Sequence, residues 1–218
     1  GARPISLWPT VRASLDSLHD AFEPDDFDPR VDARSFTLAM ADATAALFVP
    51  VLVNTLRREH AQVELRLVPL ITRDPRGMLE QGQTDIALGF FPEVSAALAS
   101  EGGDSAVRLE SLYGCEYVCV MRHDHPLAQD GALTLDAYCA ADHLRVSFAG
   151  RPWGFVDEAL SLLGRERHVM ITVNQFFTAG SVVHQSDLLT VLPLSFVPAT
   201  GFESQLTTRA LPFWLPDM

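Results

Sequence analysis

Hydrophobic positions change period several times along the chain, and each change marks an element. Leu7, Val11, Leu15, Leu18 and Phe22 recur at steps of four, four, three and four. That is a narrow apolar stripe of coiled-coil type. Ser6 reads as its N-cap, and Pro9 falls in the first turn, where a missing N–H costs little. The plainer reading is a helix packed on its own domain. The reading favoured here is a stalk that pairs with the same helix of another subunit.

An acidic linker with two prolines, residues 23–30, separates that helix from the fold proper. From Ser35 the period becomes two: Phe36, Leu38 and Met40 alternate with Thr37 and Ala39, as in a half-buried strand. Asp42 and Thr44 are cap-type residues opening a helix that runs to Leu56 and Arg58. Pro50 inside it predicts a bend, or a start near Leu47. Val63, Leu65 and Leu67 make a second strand, and 75–81 a second helix stopped by Gly82. Ile86, Ala87 and Leu88 form a continuous apolar run that halts at Gly89, before Phe90 and Phe91. Such a run after a helix predicts a strand covered on both faces. The order β-α-β-α-β implies parallel pairing with right-handed crossovers.

Small residues over 95–105, with Gly102 and Gly103, read as a loop, and 113–121 as a long strand broken by His123, Asp124, His125 and Pro126. The same grammar then repeats: helix 135–140, strand 144–147, helix 155–163, strand 169–173, helix from 176 to about 185, strand 188–192 and a last strand over 206–211. The expected fold is α/β, with two Rossmann-like lobes and a ligand cleft between them. The expected divisions are a linker helix at 1–27, lobe I at 28–114 and lobe II at 115–218. In open α/β sheets ligands sit past the carboxyl ends of the strands.

Composition narrows the partners. The formal charge of −12 opposes phosphate backbones, so this chain by itself is not expected to grip nucleic acid. No apolar run reaches the ~20 residues that span a bilayer. The first residues lack the layout of a secretion signal. The three cysteines Cys115, Cys119 and Cys139 lack zinc-type spacing and read as reduced thiols of a cytosolic protein.

Catalytic signatures are weak. Neighbouring side chains of His123, Asp124 and His125 point apart in an extended segment, so a solvated loop is preferred to a metal site. Cys115, Tyr117 and Cys119 would share one face of a strand as core. His184 reads as a helix end. Neither a Gly-x-Ser-x-Gly elbow nor a phosphate loop occurs in the sequence, and no cofactor is expected. What remains is a set of residues at strand ends: Asp42 and Thr44 at a helix N-terminus; Phe90 and Phe91; Phe148, Arg151 and Trp153; and Asn174, Gln175 and Phe176. Asp42 would repel an anion, leaving Thr44 and free backbone N–H groups to meet one. The aromatic lining suits an aromatic or hydrophobic effector better than a sugar.

Phe27, Asp28 and Pro29, then Leu47, Pro50 and Leu52, then Leu79, Gly82, Asp85, Ile86, Ala87 and Gly89, and the 117–128 run with His125, Pro126, Leu127 and Ala128 resemble the effector-binding domain of LysR-type transcriptional regulators. Tyr117 to Val120, with Ser186, Asp187, Leu188, Leu189 and Pro193, looks most like the branch of nodulation and aromatic-degradation regulators. The resemblance implies a periplasmic-binding-protein-like fold of type 2 with an inducer between its lobes. It implies a homodimer or tetramer built through the linker helix, with DNA met by an N-terminal winged helix-turn-helix outside this sequence. It places Thr44, Phe148, Trp153, Asn174, Gln175 and Phe176 at the pocket, and Phe90 joins the expected ligand-binding set by its position at a strand end. The family's last strand and helix, which complete lobe I, are not expected before Met218. An extracytoplasmic solute-binding protein shares the fold and is the runner-up, ahead of a transferase-type enzyme using the cleft.

Overall fold

The structure, a computed structural model, describes residues 27–101, 105–129 and 131–215; the predicted stalk over 6–22 lies outside the described residues. The first layer runs β1 (Arg34–Met40), α1 (Asp42–Arg58), β2 (Val63–Pro69), α2 (Arg76–Glu80), β3 (Ile86–Leu88) and α3 (Pro92–Glu101). β1 is central and parallel to both neighbours, in the order β2-β1-β3. Met40 stands opposite both Pro69 and Leu88, so the three carboxyl ends finish abreast. Ala39, Leu70, Phe91 and Val94 pack beneath this sheet. Gly89 leaves room there for the side-chain ends of Leu70 and Phe91, each 2.9 Å from where a Cβ would stand.

The second part comprises β4 (Tyr117–Arg122), α4 (Leu135–Ala140), β5 (Asp142–Val146), α5 (Phe155–Leu162), β6 (His168–Val173), α6 (Phe176–Val183), β7 (Thr190–Pro193) and β8 (Leu206–Ala210). β4 is antiparallel to β7 and β8, whereas β5 and β6 are parallel. A lone parallel bridge, His143 with Leu189, joins the two pieces, and Leu144 N–H donates to the Leu189 carbonyl at 2.8 Å. The strands therefore run β6-β5-β7-β4-β8. Side chains of β4 alternate between two cores, as strand geometry requires. Val118 and Val120 face α6 with Leu144, Ala179 and Leu192, whereas Cys119 and Met121 face α4 and α5 with Tyr138, Val156 and Leu160. Each fully buried leucine contributes roughly 1.5–3 kcal/mol gross.

Local expectations differ from the structure at five places. α1 begins at Asp42 and not near Leu47, and continues through Pro50. Pro50 and Ala46, whose carbonyl loses its partner, are both exposed, so solvent serves that group. Residues 95–101 extend a helix rather than a loop: Pro92 starts it, and its alanines are strong helix formers. β4 begins at Tyr117 instead of 113, and Cys115 lies before it, its sulfur accepting from Ser195 N–H at 3.3 Å. β3 is not covered on both faces; it stands at the end of the three-strand order and leaves Ile86 48% exposed. His125 is buried rather than solvated, its Nδ1 accepting from Leu127 N–H at 3.0 Å and its Nε2 lying 3.2 Å from the Asp187 carbonyl.

Gly180 sets how closely α6 approaches the 198–200 turn. A Cβ at that position would stand 2.4 Å from the Cβ of the buried Thr200, an atom fixed to the backbone. Gly180→Ala is therefore expected to destabilise by about 1–3 kcal/mol through overpacking, although alanine is the better helix former by about 1 kcal/mol. Urea unfolding followed by circular dichroism measures this; a stabilised variant would mean that α6 can move off the turn freely.

Candidate functional site

The two parts meet where helices begin. α1 starts directly after β1, and its N-cap, Ala41, supplies no side-chain acceptor. The first N–H groups of α1 thus have neither a helical partner nor a side-chain cap among the described residues. α6 starts directly after β6, and the side chain of its N-cap residue, Gln175, makes no capping bond either. Its acceptor comes from the other part of the fold: Asp42 Oδ2 accepts from the N–H of Phe176 at 3.0 Å and of Phe177 at 3.4 Å. Asp42 carries a full negative charge to the positive end of the α6 dipole, a favourable pairing. Ala43 and Leu47 of α1 pack into the α6 core beside this contact.

Around the two helix starts the carboxyl ends of the strands deliver the remaining groups. Ser147 N–H donates to the Val173 carbonyl at 2.8 Å, so Phe148 and Asn174 leave the ends of β5 and β6 together. Phe148 packs on Phe176 with ring centres 5.5 Å apart, and Phe176 on Phe196 at 5.1 Å, both edge-on. Phe176 and Phe196 are buried, while Phe148 is 36% exposed at the open end of this row. Edge-to-face pairs of this kind add about 0.5–1.5 kcal/mol beyond their buried area.

Of the residues expected at the pocket, Thr44, Phe148, Asn174, Gln175 and Phe176 gather near these two helix starts. Thr44 is buried in the first turn of α1, whereas Asn174 and Gln175 are exposed. Phe90, half-buried, follows β3 at the same edge of the first sheet. Trp153 sits elsewhere. It is 54% exposed and lines a cavity of about 450 Å³ on the α5 side of the second sheet, with Arg145, Pro152, Asp157, Arg167 and Thr172.

That cavity adjoins a buried charge cluster. Asp157 accepts from Arg145 Nη2 and Arg167 Nε, each at 2.9 Å, and from Gly154 N–H at 2.9 Å. Arg167 also donates to the Tyr138 hydroxyl at 3.3 Å. Burial pushes the Asp157 carboxyl up, but the Arg167 hydrogen bond and the two guanidinium charges outweigh it and hold the carboxyl below its usual range. Burial, and then the Arg167 charge, push the neighbouring His143 down to about 4. Burial raises the Cys119 thiol to about 12, which makes it inert core rather than a nucleophile.

Sequence reasoning did not find the role of Asp42 as a cap for a distant helix, nor the Arg145–Asp157–Arg167 cluster. The available signals were an uncapped α6 start at Gln175 and the Gly154-x-x-Asp157 spacing typical of a helix beginning. Convergent aromatic and backbone groups with no acid–base pair among them can hold a small organic molecule; they do not constitute catalytic machinery.

Comparisons with known proteins bear on what such a site serves. The family model described as LysR substrate binding domain matches residues 29–218. The HTH-type transcriptional activator NahR of Pseudomonas putida is 27% identical over 209 residues, which cover 95% of this chain and 66% of that protein. The HTH-type transcriptional activator NagR of a Ralstonia species is 28% identical over 215 residues, covering 98% of this chain and 68% of that one. The chain thus spans about two thirds of the length of these relatives. The solved structure of a probable transcriptional regulator, PA0477 from Pseudomonas aeruginosa, aligns with 100% of this chain and 70% of its own at a TM-score of 0.76 and 28% identity.

Proposed function

The chain belongs to the LysR substrate binding domain family, and from that premise we propose that it is the inducer-sensing part of a bacterial transcriptional regulator. It would hold a small aromatic molecule between lobe I (28–114) and lobe II (115–218). The observation that carries this reading is the edge-on row Phe148–Phe176–Phe196, which opens beside the facing starts of α1 and α6. Thr44, Phe90, Asn174 and Gln175 complete the proposed binding set at the α6 side, whereas Trp153, first expected among them, lines the separate cavity on the α5 side. The similar proteins are transcriptional activators and a regulator, not enzymes. Neither a transport protein nor a transferase is favoured.

The mechanism is a population shift. An inducer that binds one lobe arrangement better than the other moves the equilibrium by that difference in affinity alone. The shift would reach DNA through an N-terminal winged helix-turn-helix outside this sequence, since a chain of charge −12 repels phosphates. Self-association into a dimer or tetramer belongs to the same reading. It is supported by the stripe over 6–22 and by apolar side chains left in water on α1, α5 and β6: Val51 is 66% exposed, Leu162 89% and Met170 61%. A regulator of this kind works in the cytoplasm, and among the described residues no helix is long and apolar enough to cross a membrane.

A thermal-shift screen with small aromatic acids and quinolone- or flavonoid-like compounds tests the reading. At least one compound is expected to raise the melting temperature in a concentration-dependent way. Phe148→Ala should abolish that shift if the ligand sits at the α6 side, and Trp153→Ala should do so if it sits in the α5 cavity. A screen in which no aromatic compound stabilises the protein would refute an aromatic inducer.

A further inference from the structure

We infer that the cavity on the α5 side of the second sheet is a second ligand site, separate from the α6 side, and that it takes a small aromatic carboxylate. The inference goes beyond the inducer-sensing reading and stands on this cavity alone.

Leu144 and Val146 of β5 pack into the α6 core, so Arg145 between them turns to the opposite face. There its guanidinium and that of Arg167 converge on one carboxylate, Asp157. Both oxygens of that carboxylate are engaged: Oδ1 accepts from Arg167 Nε, and Oδ2 from Arg145 Nη2 and Gly154 N–H. The cluster thus sets two buried positive charges against one negative. Arg145 has donors in hand. Of the five N–H groups of a guanidinium, its bond to Asp157 comes from Nη2, and its Nε has no partner among the described residues. A buried charge in excess of its partners is costly, and a counter-ion relieves that cost.

Room for a counter-ion lies directly beside the cluster. Arg145, Asp157 and Arg167 line a cavity of about 450 Å³, within the range of small-molecule sites. Arg145 is 11% exposed against 4% for Arg167, so an entering anion meets Arg145 first. Its Nε is covered, and the attraction is that of the whole guanidinium charge. Another part of the lining is apolar: Pro152 and Trp153 border the same cavity, and Trp153 is 54% exposed. A small inorganic anion would leave that indole uncovered, and a neutral ring would leave the excess charge unmet. A carboxylate carried on an aromatic ring answers both. Glu166 borders the cavity as well and is exposed. Its charge opposes an incoming anion, which allows a test that leaves the buried cluster intact.

Trp153 can report on its own cavity. In the full chain labelled with 5-fluorotryptophan, its fluorine resonance is assigned with Trp153→Phe and followed during titration. Benzoate is expected to shift that resonance saturably. Benzamide has the same shape without the charge, and cyclohexanecarboxylate the same charge without the aromatic ring. Each should bind at least about threefold more weakly than benzoate; a smaller difference for either overturns the assigned ligand class. Glu166→Gln should tighten benzoate about twofold and leave benzamide unchanged. Arg145→Gln leaves Asp157 its bonds from Arg167 and Gly154, and should bring benzoate down to the level of benzamide. Benzoate binding that is unchanged or weakened in Glu166→Gln overturns the charge argument, and decides the matter alone if Arg145→Gln does not fold. A Trp153 signal that never moves with benzoate overturns the site, whatever the thermal-shift screen finds at the α6 side. The titration should also survive Phe148→Ala; its loss there would make the two sites one and overturn the inference.

Discussion

Asp157→Ala is expected to destabilise the protein by roughly 3–5 kcal/mol, the range seen when one member of a buried ion pair is removed. The side chains of Asp157, Arg167 and Arg145 are 6%, 4% and 11% exposed, so water compensates little for a lost partner. Removing the carboxylate strands two guanidinium groups at once and takes the acceptor from Gly154 N–H at the start of α5. The cluster is already short of acceptors, since the buried Arg145 Nε has no partner among the described residues. Asp157→Asn keeps the volume and an acceptor for Gly154 but loses the charge, and should fall between wild type and alanine. Urea denaturation monitored by circular dichroism distinguishes these cases. A loss near 1 kcal/mol for the alanine variant would mean that the cluster behaves like an exposed pair.

Acidification is the second large effect. His143 has no exposed surface. Its Nε2 donates to the Tyr138 carbonyl at 2.8 Å, and its Nδ1 is buried without a partner among the described residues. A proton added at Nδ1 would find no acceptor and would lie near Arg167. The folded value of about 4 lies below the ordinary histidine value of about 6.5. The unfolded chain therefore binds the proton first as pH falls. Stability is complete above about pH 6.5 and declines as pH drops toward 4, by about 2 kcal/mol at pH 5 and about 3 kcal/mol at pH 4. Unfolding midpoints measured between pH 7.5 and 4.5 check this. A flat profile over that window would show that His143 is not held neutral by its surroundings.

Much of the architecture was legible because period-two and apolar-run signals are local. β1, β2, β5 and β6, with the helices between them, fall within a few residues of the expected bounds. Errors came where one composition serves two structures. Alanine and serine over 95–101 suit a loop by size but a helix by backbone preference, and Pro92 decided for the helix. A three-residue apolar run looks the same in the middle and at the rim of a sheet, and β3 proved to be at the rim. The candidate site was legible as strand ends but not as contacts. Asp42 meets Phe176 across 134 residues of chain, a separation that no periodic pattern encodes. Trp153 follows the same strand as Phe148, yet the intervening turn, with Gly150 at φ +64°, takes it to the α5 face. Loop residues carry no alternation from which a side could be read.

The single rung between His143 and Leu189 has a mechanical consequence. A sheet fastened along most of its strands but stitched at one point in the middle will part there before it frays elsewhere. The ring whose protonation is penalised sits on that stitch, so acid should unzip the β5–β6 flap from the remaining strands first. The seam, rather than the outer rims, would then be the weakest line of the second lobe.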